Sequence, residues 1–214
     1  MSIYSEVGKR AMDCVGTTLG LLLALPCLGI AAIGIHISMG RPVVFKQERL
    51  GLDEETFKLY KLRTMTDSVD ASGQVLPDEL RLTPFGRFLR QTSIDELPQL
   101  WNVLRGDMSL VGPRPLFPEY EPWYRERERK RHTVRPGITG LAQVSGRNRL
   151  SWDERLELDA QYVEGLSVWL DLKILWRTLG KALGGSDVLV APGASQKRLD
   201  VERQQATISS EREG

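Results

Sequence analysis

VGTTLGLLLALPCLGIAAIGIHISM, residues 15–39, contains no lysine, arginine, aspartate or glutamate, and its reading decides the fold. The run exceeds the roughly 20 apolar residues that a membrane-spanning helix needs. It is too long for the apolar part of a cleaved leader, and no small-x-small cleavage site follows it. One reading is therefore a single kinked spanning helix. Pro26, near the middle, removes a helical hydrogen bond and pushes the preceding turn aside. Basic residues also flank both ends, with Lys9 and Arg10 before and Arg41, Lys46 and Arg49 after. A spanning helix usually carries its positive flank on one side only. The second reading is a re-entrant helix that enters the bilayer, turns at Pro26 and leaves on the same face. The residues leave these two readings level, and both tie the chain to a membrane.

A second membrane signal lies at LSVWLDLKILWRTLGKALGG, residues 166–185. Trp169, Leu172, Trp176, Leu179 and Leu183 recur at three and four, along one face of a helix. Lys173, Arg177 and Lys181 occupy a neighbouring face, as in a helix lying among lipid headgroups. A core-packed helix with a solvated basic face has the same pattern; the apolar anchor favours the interfacial reading.

Around these signals the chain reads as α+β, mainly helical, in three parts. Residues 1–40 are the anchor, 41–185 a cytosolic body, and 186–214 a tail too poor in large apolar residues to fold. PVVFKQERLGLDEETFKLYKLRTM, residues 42–65, predicts a β-hairpin turning near Gly51-Leu52-Asp53. Residues 67–83 read as a polar loop. Residues 81–107 predict two helical pieces stopped by Gly106. RERERKR, residues 125–131, reads as a solvated helix face. VRPGITGLAQVSG, residues 134–146, reads as irregular, and Ser151 with Glu154 forms a capping-box pattern. The net charge of +1 over 214 residues gives no field that would argue for nucleic acid. Cys14 and Cys27 have no metal-like spacing. His36 and His132, read as membrane-side and surface residues, support neither a metal site nor a catalytic triad.

The chemistry is concentrated in QTSIDELPQLW, residues 91–101, where Asp95 and Glu96 stand side by side among apolar residues. With Asp95 as a helix N-cap, Pro98 falls at the third helical position, where its missing N–H breaks no bond. Both carboxylates then face the positive end of a helix and could hold Mg²⁺, which bridges phosphate oxygens. An ordinary N-cap with a dipole-favoured neighbour is the plain alternative. Phosphate recognition needs cations, and Arg90 and Arg114 are the first candidates. Lys61, Arg63, Arg135 and Arg147 follow as nucleotide or diphosphate contacts, several of them on stiff Gly/Pro loops.

Four stretches together resemble one known family: FKQERLG…KLYKLRTM, DELRLTPFGRFLRQTSIDELPQLWNVLRGDMSLVGPRP, RPGITGLAQVSGRN and LDLKILWRT. They look like the bacterial sugar transferases called monotopic phosphoglycosyl transferases, in the small form that is catalytic core only. The resemblance implies transfer of a sugar 1-phosphate from a UDP-sugar to polyprenyl (undecaprenyl) phosphate, with release of UMP. It assigns Asp95 as the nucleophile that carries a covalent phosphosugar, and Glu96 as its companion in handling Mg²⁺. It implies a re-entrant helix broken at Pro26, though many relatives place Ser before that proline and this chain has Leu25. It also implies the cytoplasmic face of the bacterial inner membrane, a phospholipid bilayer as partner, downstream glycosyltransferases, and a first step in glycan assembly such as exopolysaccharide. A non-catalytic, membrane-seated platform that binds nucleotide-sugars or glycosyltransferases is the rival expectation.

Overall fold

The computed structural model describes residues 4–146, 149–184 and 198–205. After a π-helical turn, Tyr4–Gly8, the apolar run forms one helix, α1 (Lys9–Met39). Its most apolar 18 residues have a mean hydropathy of 2.3, and it is the one helix among the described residues long and apolar enough to cross a membrane. The helix is not broken at Pro26, contrary to expectation; helical backbone runs through the proline to Met39. Ala24 and Ala31, one on each side of Pro26, are both buried, so the helix is packed on the body both before and after the proline.

Lys9, Asp13, Thr17, Ala24, Ala31 and Ile35 form the buried stripe of α1, at helical spacings of four and seven. The other side is open: Leu22, Leu23, Ile30, Ile33 and Ile37 are all exposed. Both ends of α1 touch the same body. Near its start Arg10 donates to the carbonyls of Val103 and Leu104, and Asp13 accepts from Ser109 Oγ and the Leu110 amide. Near its end Ala31 and Ile35 join a core cluster with Leu62 and Leu89. Gly34 lets Phe85 approach so closely that a Cβ there would lie 2.5 Å from the ring.

The hairpin is present as expected: β1 (Val44–Leu50) pairs antiparallel with β2 (Thr56–Leu62), and the connection runs through a 3-10 turn, Leu52–Glu54. Within the expected polar loop, a single helical turn, α2 (Asp78–Arg81), precedes α3 (Pro84–Gln91), capped by Thr83 Oγ1 on the Gly86 amide. α4 (Gln99–Arg105) ends where Gly106 takes a left-handed conformation (φ 94°), as expected.

Three expectations are corrected between residues 125 and 146. The glycine-rich segment is ordered: β4 (Gly137–Thr139) pairs in parallel with β3 (Ser109–Val111), followed by α6 (Leu141–Ser145). The charged run is not one solvated face. It is α5 (Glu126–Arg129) followed by a 3-10 turn, and Arg131 is buried in an ion pair of 3.0 Å with Asp159. His132 is not a surface residue: burial and the neighbouring Arg131 push its imidazole down to about 4, so it is neutral at pH 7.

α7 (Trp152–Glu164) begins with the expected Ser151–Glu154 capping box. On α8 (Val168–Gly184) the tryptophan face points outward, with Trp169 80% and Trp176 76% exposed. The core-packed reading of that face is therefore wrong; Leu183 lies in α8, but its side chain is outside the described residues. The tail expectation also fails in part. Residues 199–205 are helical, and Leu199 is fully buried among Leu50, Leu116, Tyr120, Tyr124, Trp152 and Leu156. Leu199 docks it together with ion pairs, Arg203 being bonded to Glu128 at 2.6 Å and to Asp153 at 2.8 Å.

Candidate active site

Asp95 and Glu96 lie in a 3-10 turn, Ile94–Glu96, between α3 and α4. The helix-cap register expected from sequence is wrong by one turn: Pro98, not Asp95, is the N-cap of α4. The cause is local. Ser93 adopts a left-handed conformation (φ 57°) that reverses the chain after α3. The Leu97 amide then closes onto Ile94 as a tight turn, and Pro98, with no N–H, separates that turn from the helix. Ile94, adjoining Asp95, packs into the α1 cluster with Ala31 and Ile35. The dyad therefore sits directly against the apolar helix.

Three cations converge on the dyad, and a fourth lines a hollow shared with two of them. Lys61, on β2, donates to Glu96 Oε1 at 2.7 Å, and Arg114 donates to the same oxygen at 2.8 Å. Arg90, on α3, is steadied by Thr64, whose Oγ1 accepts from its Nε at 3.0 Å, and its charge acts on Asp95. α3 lies so close to this strand end that a Cβ on Gly86 would fall 1.8 Å from the Thr64 carbonyl oxygen. Arg49, on β1, lines a hollow with Leu59, Lys61, Gln99, Arg114 and Pro115.

The scaffold behind these groups is polar and fully engaged. Asn102 of α4 accepts from the Tyr60 amide and donates to the Lys58 carbonyl, which pins the Lys61 strand to the helix behind the dyad. The Arg114 loop is held by Gly137, whose amide donates to Pro113, and by Arg131, whose guanidinium donates to the Arg114 carbonyl at 2.6 Å. The buried Arg131–Asp159 pair thus positions a site residue.

The two carboxylates are driven apart. Burial would raise Glu96, but Arg114 and Lys61 outweigh it and hold this carboxyl well below the usual range, permanently ionised. Asp95 moves the other way: burial and the charge on Glu96 raise it to about 6, against the pull of Lys61, Arg90 and Arg114. Its carboxylate has no hydrogen-bond or ion-pair partner among the described residues, although it is 7% exposed. A desolvated carboxylate with free lone pairs, near cations but bonded to none of them, is an available nucleophile. Divergent environments on paired acids mark divergent roles.

Of the residues singled out from sequence, the fold gathers Asp95, Glu96, Lys61, Arg90 and Arg114. Arg63 instead braces backbone, donating to the carbonyls of Met39, Arg41 and Met65. Arg135 donates to the Gly106 carbonyl at 2.8 Å and is not part of the cluster. Arg147 lies outside the described residues. Sequence reasoning missed Arg49. The available signal was hairpin register, since Arg49, Gln47 and Phe45 oppose Phe57, Leu59 and Lys61 and so share one face.

For Mg²⁺, the test is the donor set. No group of three or more Asp, Glu, His or Cys converges among the described residues. Magnesium, however, is commonly held by one or two carboxylates, its remaining positions filled by water and substrate phosphate. Two adjacent hard-oxygen ligands beside a cationic hollow fit that pattern in donor type.

Comparison with known proteins follows the same outline. The profile of the bacterial sugar transferases matches residues 4–185. The chain is 55% identical over 188 residues to the uncharacterized sugar transferase EpsL of Bacillus subtilis strain 168, covering 88% of this chain and 90% of that one. It is 42% identical over 189 residues to a UDP-glucose:undecaprenyl-phosphate glucose-1-phosphate transferase of Caulobacter vibrioides, covering 83% of this chain and 70% of that protein. A protein of the same description from Klebsiella pneumoniae is 42% identical over 185 residues, of which this chain spans 40%.

Proposed function

The chain belongs to the bacterial sugar transferase family, and on that footing we propose that it moves a sugar 1-phosphate from a UDP-sugar to undecaprenyl phosphate at the cytoplasmic face of the bacterial inner membrane, releasing UMP. The relatives from Klebsiella and Caulobacter are named for transfer of glucose 1-phosphate from UDP-glucose to undecaprenyl phosphate. The observation that carries the reading is Asp95, buried and unpartnered within a ring of cations that can neutralise a diphosphate.

In the first step an Asp95 carboxylate oxygen attacks the sugar-bearing phosphorus. The bond from that phosphorus to the bridging oxygen breaks, and UMP leaves with the electron pair. In the second step a phosphate oxygen of the polyprenyl phosphate attacks the same phosphorus, and the bond to Asp95 breaks, restoring the carboxylate. Lys61 and Arg114 face the charge that develops on the leaving phosphate, and Arg90 steadies the attacking carboxylate. Glu96 keeps Lys61 and Arg114 in place and, with Asp95, would hold Mg²⁺. Bound there, the metal would supply Lewis-acid neutralisation of phosphate charge. Splitting the transfer lets a soluble donor and a lipid acceptor use one site in turn.

The membrane seat rests on two outward apolar rows, the open face of α1 and the tryptophan face of α8. Lys9 of α1 bonds Asp171 of α8 and so joins them. Because both ends of α1 contact one body, its two flanks belong on the same side of the bilayer, with the continuous helix seated on that side by its open apolar face; a spanning helix would separate them. Single cysteines placed in residues 4–8 and 45–50 should label with a membrane-impermeant reagent from the same side. Labelling from opposite sides would refute the same-side seat and leave the chemistry standing.

Activity is tested with the full chain in lipid, a panel of UDP-sugars and undecaprenyl phosphate. Release of UMP matched by sugar phosphate on the lipid supports transfer. Nucleotide-sugar binding with no UMP from any donor would favour a non-catalytic platform. The Asp95 carboxyl at about 6 also gives the reaction a pH profile. Since only the ionised form attacks, single-turnover UMP release should be flat above pH 7 and fall about tenfold per pH unit well below 6. A rate unchanged down to pH 5 would show that the carboxyl is not held near 6 in the working enzyme, as a cation bound to it would bring about.

A further inference from the structure

Resting on the transferase reading, we propose that Arg49 is a phosphate-binding residue of the site, whose guanidinium meets a substrate oxyanion held jointly with Lys61 and Arg114. Arg49 is only 8% exposed, yet it has no carboxylate within ion-pair distance among the described residues. Two of its five N–H groups are engaged, one on the Glu48 carbonyl at 2.9 Å and one on Gln47 Oε1 at 2.5 Å. Both partners are neutral. Burial and the like charge of Arg114 weaken its hold on the proton, down to about 10, which leaves it fully charged at pH 7. A buried, charged guanidinium beside another cation is costly unless an anion completes it.

The count of charges agrees. Around the hollow and the dyad stand Arg49, Lys61, Arg90 and Arg114 against Asp95 and Glu96, four positive charges against two negative. These side chains by themselves leave the hollow positive, as a site for a substrate oxyanion should be. The guanidinium is also pre-aimed, with its carbon 3.7 Å from the Phe117 ring centre. A stacked arginine keeps its planar fork in one orientation, as bidentate recognition of phosphate requires. Phe117 is itself backed by the C-terminal segment: Arg198 lies 5.5 Å from the same ring, and Leu199 is buried in the cluster that Phe117 packs against.

Two phosphates in the reaction share this chemistry, the donor's and the lipid acceptor's, and binding experiments separate them. The full chain in nanodiscs is titrated with UMP and with uridine, and separately with farnesyl phosphate and with farnesol. Arg49→Gln should weaken one phosphate-bearing probe about 10- to 100-fold, the loss of a charge-assisted pair of hydrogen bonds. Its phosphate-free counterpart should bind as before. Weakened UMP assigns Arg49 to the nucleotide, and weakened farnesyl phosphate assigns it to the lipid; either outcome supports the proposal. Arg49→Lys keeps the charge but loses the fork, and should fall between the two. It carries the test, with an expected loss of threefold or more, if the glutamine variant fails to show a cooperative melt. Both phosphate probes binding within twofold of wild type would overturn the assignment while leaving the transferase reading intact. A wild-type chain that binds neither phosphate probe would overturn both.

Discussion

Asp95→Asn should stop UMP release and, in the same protein, raise its melting temperature at neutral pH. Loss of the nucleophile leaves only binding and electrostatic positioning, so turnover should drop at least about 10³-fold, roughly 4 kcal/mol of transition-state stabilisation. The stability gain follows from the environment. The Asp95 carboxyl is raised from 3.8 to about 6 on folding, chiefly by burial and then by Glu96. The fold therefore disfavours its charged form. That penalty is absent below about pH 4, grows between the unfolded and folded values, and is complete above about 6. Asparagine never carries the charge, so the variant should gain on the order of 2–3 kcal/mol at pH 7.5, or several degrees in Tm, and gain nothing at pH 4. Calorimetry of the two proteins at both pH values, beside a UMP assay, measures both effects. An active variant would sink the covalent mechanism. An inactive variant with an unchanged melt would instead show that Asp95 is not held against its charge.

Much of this arrangement is legible in the residue order, for reasons that differ from element to element. The apolar run could be read because nothing charged interrupts it, and α7 because Ser151 and Glu154 cap it reciprocally. The hairpin could be read because its alternation and turn are local signals. Pairing across long separations has no such local signal. β3 meets β4 through Ser109 opposite Gly137, and nothing in a short glycine-rich stretch announces a parallel partner so far back in the chain. Arg131 looks like one more charge in a basic run. Its burial depends on Asp159, a residue of α7 that only the tertiary fold brings near. The dyad itself was visible as two acids out of place, but its register was not. A left-handed Ser93 followed by a 3-10 turn competes closely with an N-capped helix, and packing of Ile94 on α1 decides between them.

Lys9→Met should destabilise the protein by about 3–5 kcal/mol, the cost of leaving a buried charge unpaired. The Asp171 side chain is fully buried and receives Lys9 Nζ and Tyr4 Oη on one oxygen, each at 2.6 Å, with Tyr162 Oη on the other at 2.7 Å. Removing the ammonium leaves a carboxylate with two phenols and no counter-charge. Asp171→Asn should cost a similar amount from the other side, by stranding the ammonium. The double variant should recover most of either loss, because the desolvation of both charges disappears together, giving a coupling of at least about 2 kcal/mol in a double-mutant cycle. The pair has a mechanical reading as well. It joins the start of α1 to the first turn of α8, so it ties the two helices that carry the outward apolar faces. Lys9→Met should therefore still sediment with membranes, since α1 remains apolar, yet lose protection from proteolysis at α8. If the single variants melt like wild type and α8 stays protected, α1 and α8 are held by apolar packing alone, and the buried pair is not what joins them.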